Sequence, residues 1–164
     1  MARAAGVLGA LALLGGCFFL DLAEPVAATA AGDWYEVGPI LKSPEDVLRA
    51  ARDIVTRQGY AILEPPRAPY AFETDWIVHL SAHWREGYRT RLEVHVAPVE
   101  PRGVVARVRS FREFNDNARE PMSLEKASWT GASIDPRHAE KISEPALRVA
   151  HLLRFRYFGV NQDE

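Results

Sequence analysis

The chain reads as an α+β protein: a two-layer sandwich in which a four-stranded antiparallel meander carries an N-terminal and a C-terminal helix on one face. Three observations predict this. Two segments, near residues 44–58 and 136–158, place apolar side chains at helical spacing behind capping residues. Between them, residues 60–109 alternate with a period of two and are broken by Pro- and Gly-containing turns. Each helix has one apolar stripe and the strands have one apolar face, so the simplest packing lays both helices on that face.

The first helix starts at Ser43-Pro44-Glu45-Asp46. Ser43 can cap, Pro44 suits the first helical position, and the two acids lie near the positive end of the dipole. Val47, Leu48, Ala51, Ile54 and Val55 form its apolar face, and Gly59 is its C-terminal stop. Tyr60 to Glu64 predicts a short strand, followed by a stiff loop at Pro65, Pro66 and Pro69.

From Phe72 a longer strand is expected. Phe72, Thr74, Trp76, Val78 and Leu80 face the helices, and Glu73, Asp75, Ile77, His79 and Ser81 face away. Arg85-Glu86-Gly87 suits a three-residue hairpin turn. The next strand sets Tyr88, Thr90, Leu92, Val94 and Val96 against Arg89, Arg91, Glu93 and His95. After Pro98 to Gly103, Val104, Ala106 and Val108 oppose Val105, Arg107 and Arg109.

Residues 110–134 look irregular, with Asn115-Asp116-Asn117 and Pro121 as loop signals and Trp129 and Ile134 folding back on the domain. Asp135-Pro136 opens the last helix, which has an apolar face of Ile142, Ala146, Val149, Ala150 and Leu153 and ends at Gly159. Pro145 should kink or split it. Trp76 and Trp129 are expected in the core, as are Phe111 and Phe155.

Ahead of the domain, Arg3 precedes an apolar run from Gly6 to Leu14, and Leu14-Gly15-Gly16-Cys17 closes it. The run is shorter than the ~20 residues of a spanning helix. The motif resembles the lipobox of bacterial lipoproteins, which implies cleavage before Cys17 and lipid attachment to its thiol. Cys17 is the only cysteine, so it has no disulfide partner. The predicted organisation is a signal peptide over 1–16, a lipidated Cys17 with an Ala-rich tether over 17–33, one domain over 34–159, and a tail over 160–164. The lipid places the protein at the cell envelope. The absence of Asp after Cys17 points to the outer membrane of a two-membrane cell, on its periplasmic side.

Some of these residues resemble the repeated domain of the BamC (NlpB) lipoproteins, accessory members of the outer-membrane β-barrel assembly machinery. The likeness lies in Thr74-Asp75-Trp76, in Tyr88-Arg89 with Arg91, in Leu92-Glu93-Val94-His95-Val96, and in Gln58-Gly59-Tyr60 after a helix. It implies a helix-grip fold, a long helix held by an antiparallel sheet, and a role as a protein-binding accessory. The family has two such domains and a long N-terminal region, and this chain shows one domain.

Function classes narrow further by exclusion. A net charge of −2 over 164 residues gives no support to generic nucleic-acid binding, which needs a clustered basic surface. No G-x-S-x-G and no Gly-rich phosphate loop occur. His79 and His83 share a strand face and, in a tight hairpin register, Glu93 would lie opposite His79. The neighbouring arginines would repel a cation, so a charge ladder is expected there rather than a metal site. Glu73 and Asp75 are expected to be solvated or salt-bridged. His95, His138, His151, Ser128 and Ser133 have no partner at motif spacing. No catalytic residue, metal or cofactor is expected.

The remaining candidate is a stripe of Arg89, Arg91, Arg107 and Arg109 on the open sheet face, which could dock an acidic partner or anionic headgroups. Trp34-Tyr35 could join such an interface. The sequence therefore predicts a membrane-anchored, non-catalytic interaction module with an envelope protein partner. A lipid or small-molecule carrier using a hollow between helix and sheet is the alternative.

Overall fold

A computed structural model of the chain describes residues 30–131 and 136–159, with the side chains of residues 30 and 136–140 left out. The expected signal peptide, Cys17 and most of the tether lie outside the described residues. So do Ile134, Asp135, the side chain of His138, and the tail.

The fold is α+β, with an open antiparallel sheet and two helices on one of its faces. The elements run β1 (Ala30–Ala31), β2 (Tyr35–Ile40), α1 (Pro44–Arg57), β3 (Ala71–Glu73), β4 (Ile77–His79), β5 (Tyr88–Pro98), β6 (Val104–Asn115), β7 (Trp129–Gly131) and α2 (Pro136–Phe158). β5 and β6 form the long central hairpin and pair over their whole length, from Tyr88 opposite Phe114 to Pro98 opposite Val104. Both outer edges are patched from short pieces. β2, β1 and β7 share the free edge of β6, while β3 and β4 share that of β5.

Both helices follow their local signals. Ser43 Oγ accepts from the Asp46 N–H at 3.1 Å. At the other end Gly59, at φ 89°, carries the left-handed turn, and the Gly59 and Tyr60 amides donate to Thr56 and Val55 carbonyls. α2 runs unbroken through Pro145 instead of splitting. One turn earlier the buried Ser110 hydroxyl on β6 donates to the Ile142 carbonyl, tying helix to sheet.

The core lies between helices and sheet. Val47, Ala51, Ile54 and Val55 of α1 and Ala146, Val149, Ala150 and Leu153 of α2 cover Leu92, Val94 and Val96 of β5 and Val104, Ala106 and Val108 of β6. All of these carry the parity their sequence positions predict.

Four expectations are corrected. First, the chain enters the sheet before α1. Val37 and Ile40 of β2 are core residues against β6, and even the end of the expected tether, Ala30–Ala31, pairs with Arg112 and Phe111. Gly32 then passes so close to α2 that a Cβ would meet Ser143 Oγ at 2.8 Å. The Gly38-Pro39 pair, at a shift in the β2 register, hides this strand from an alternation test.

Second, residues 60–64 contribute only an isolated bridge between Ile62 and Thr74. Third, the strand expected from Phe72 is two strands with one extra residue between them. Phe72 pairs with Val94, but Ile77 pairs with Thr90, so the alternation reverses at Asp75-Trp76. Fourth, β6 continues through the supposedly irregular stretch to Asn115, and Trp129 returns in β7 to pair with Asn115. Among the described residues, no helix is long and apolar enough to cross a membrane.

Candidate functional site

The face of the sheet away from the helices is built by the odd residues of β5 and β6. In register, Arg89 lies opposite Glu113, Arg91 opposite Phe111, Glu93 opposite Arg109, and His95 opposite Arg107. All four sequence-predicted arginines stand here, but they do not form a bare cationic stripe. Arg89 Nε donates to Glu113 at 2.6 Å, Arg91 to Glu73 at 3.0 Å, Arg107 to Glu36 on β2 at 2.7 Å, and Arg109 to Glu93 at 2.7 Å. Each cation has a carboxylate of its own because alternating strands bring acids into register beside them. The face is close to charge-balanced, which removes the electrostatic ground for preferring an acidic partner or anionic headgroups.

Aromatic rings stand between these arginines. Arg89 lies 4.5 Å from the Trp76 ring centroid and 5.0 Å from that of Trp129. Arg91 lies 5.2 Å from Trp76 and 4.7 Å from Phe111, and Arg109 lies 4.8 Å from Phe111 and 4.4 Å from Trp34. Trp34 in turn meets the His95 ring edge-on at 5.2 Å. Rings and guanidinium groups therefore alternate along one continuous ladder, Trp129–Arg89–Trp76–Arg91–Phe111–Arg109–Trp34.

This placement corrects the expectation that Trp76, Trp129 and Phe111 are core residues. The bulge at Asp75-Trp76 turns Trp76 to the outer face, and its amide donates to Asp75 Oδ1 at 2.7 Å. Phe111 is at an odd position of β6, and Trp129 reaches this face through β7. Phe155 is also outside the core, on the exposed side of α2. The ladder could have been anticipated from Arg89-Thr90-Arg91 and Arg107-Val108-Arg109-Ser110-Phe111, which put cations and a ring on one parity.

Glu93 is the electrostatic hub. Burial alone would raise its pKa, but hydrogen bonds from Arg109 and from His95, the latter at 2.7 Å, outweigh that and hold the carboxyl below its ordinary value. Arg91 Nε is the one buried side-chain nitrogen without a hydrogen-bond partner among the described residues, and it lies between rings.

The expected His79–Glu93 proximity does not form. The loop between β4 and β5 is longer than a three-residue turn, so His79 pairs with Tyr88 and faces the helix side. Glu93 is on the opposite face, and His83 stands exposed in the turn. Asp75 is exposed, whereas Glu73 is drawn into pairs with Arg91 and Arg67. Ser128 and His151 are exposed. Among the described residues no group of three or more His, Cys, Asp or Glu converges to hold a metal ion. Comparison with known proteins finds no family model and no curated protein that matches the chain.

Proposed function

We propose that the chain is a membrane-anchored envelope lipoprotein whose domain acts as a non-catalytic protein-interaction module of helix-grip type. The observation that carries this reading is the Arg–aromatic ladder. Trp and Arg are the residues most enriched at the energetic centres of protein interfaces. Here they are preorganised, because Arg89, Arg91 and Arg109 are each held by a carboxylate and by rings before a partner arrives, which lowers the ordering cost of binding. Charge balance favours another folded envelope protein over a lipid surface. The lipobox at Cys17 supports the anchoring, and the resemblance to accessory lipoproteins of barrel assembly supplies one candidate setting.

The test is position-specific cross-linking in native membranes. A photo-reactive side chain at Arg107, which is 51% exposed on the ladder face, should yield a discrete adduct with one protein. The same group at Arg49, 75% exposed on α1, should not. Trp34→Ala should weaken the adduct. Equal labelling from both positions, or none from Arg107, would refute a docking role for this face.

A further inference from the structure

On the helix side of the sheet, at the end where β4 and β5 meet α2, a pocket of about 350 Å³ opens between the two layers. Its floor is Arg112 on β6. The residue is 6% exposed, yet it makes no ion pair among the described residues, whereas Arg89, Arg91, Arg107 and Arg109 each have a carboxylate. Its Nε points to Thr90 Oγ1 at 3.4 Å and its guanidinium lies 4.3 Å from the Tyr88 ring centroid, so the plane of the group is held. Among the described residues its terminal nitrogens have no hydrogen-bond acceptor, and the residue lines the pocket.

A largely enclosed cation with no counter-ion among the described residues is favourably completed by an anion. Burial pushes the Arg112 pKa down, opposed by Tyr88, Glu144 and Tyr60, and an arginine still keeps its proton. The rim adds Arg148 and Glu144, bonded to each other at 3.1 Å, so their charges cancel and the pocket keeps a net charge of one. Ile77, Pro145 and Val149 supply an apolar wall.

We propose that this pocket binds a small organic monoanion, its carboxylate on the Arg112 fork and its apolar body against Ile77, Pro145 and Val149. A planar guanidinium offers two parallel donors that match a carboxylate, and the volume lies within the range of small-ligand sites. The site is on the opposite layer from the Arg–aromatic ladder and stands independently of it.

Three probes test the proposal on the full chain: benzoate, its neutral isostere benzamide, and the dianion phenyl phosphate. Binding is followed by calorimetry and by NMR shifts of Thr90, Arg112 and Val149. Benzoate should bind and shift these residues, and benzamide should bind roughly tenfold or more weakly, the difference of a charge-assisted hydrogen bond. Arg112→Gln should lose benzoate by a similar factor. Glu144→Gln, at a rim position 59% exposed, should tighten benzoate by about threefold by removing a like charge. Equal affinity for benzoate and benzamide, tighter binding of phenyl phosphate, or no gain from Glu144→Gln would each overturn the proposal.

Discussion

Glu93→Gln probes the ladder at its hub. The native side chain is 14% exposed and accepts from Arg109 and His95, both at 2.7 Å. The amide keeps the shape and one acceptor oxygen, so the substitution removes charge rather than packing. The two donors use different carboxylate oxygens, so one bond is lost to the non-accepting amide nitrogen and the other is kept to a neutral oxygen, while Arg109 loses its counter-ion but keeps the Trp34 and Phe111 rings. Arg109 and His95 retain contact with water, so the loss is about 1–2 kcal/mol near neutral pH. For a domain of this size that is a fall in Tm of about 3–6 °C.

The effect must also depend on pH. The folded Glu93 carboxyl lies below its ordinary value, so its contribution is complete above the ordinary carboxylate range and is lost as pH falls through the folded value. Gln does not titrate, and the two proteins should therefore converge in acid. Urea unfolding followed by tryptophan fluorescence, from about pH 7 to about pH 3, measures the gap. A gap that persists unchanged into acid would show that packing, not charge, makes Glu93 matter. No gap at neutral pH would show that the ladder is not electrostatically held.

Other predictions follow from single contacts. Leu153→Ala empties a fully buried position between α2 and the sheet and should cost about 2–5 kcal/mol in denaturant unfolding. Ser43→Ala removes the cap on the Asp46 amide and should cost about 1 kcal/mol, with no change in far-UV signal at low denaturant. Cys17→Ser should release the protein from the membrane fraction on fractionation of native cells. Retention of that variant in the membrane would count against lipid anchoring.

The helices were legible because their signals are local. Ser43, Pro44 and Gly59 lie within one turn of the ends they define, and the apolar stripe of α2 needs only a 3.6-residue period. The parity of β5 and β6 was legible for the same reason, since Leu92, Val94 and Val96 alternate with charges. β2 was not, because Gly38-Pro39 interrupts six residues that join the sheet only through β6, a partner about 70 residues away.

The ladder was half visible. Its arginines were found from their spacing, and Glu93, Glu113 and Phe111 lie on the same two strands, but Glu36 comes from β2, Glu73 from β3, Trp76 from the bulge after it, Trp129 from β7 and Trp34 from the segment before Tyr35, and no local pattern joins those to β5. Trp76 is the sharpest case. Its apolarity argues for the core, and only the pairing of Ile77 with Thr90 reveals that one inserted residue turns it outward.

Local chemistry thus settled which segments are helices, which strand residues are apolar, and that the central hairpin has a polar side. Tertiary structure decided what that side is: a charge-balanced ladder rather than a cationic stripe. It also set Arg112, an unremarkable residue in the sequence, in a pocket with no counter-ion among the described residues. The physical reason is that side-chain direction along a strand has a period of two, so a single bulge or a change of register, fixed only by long-range pairing, exchanges one face for the other.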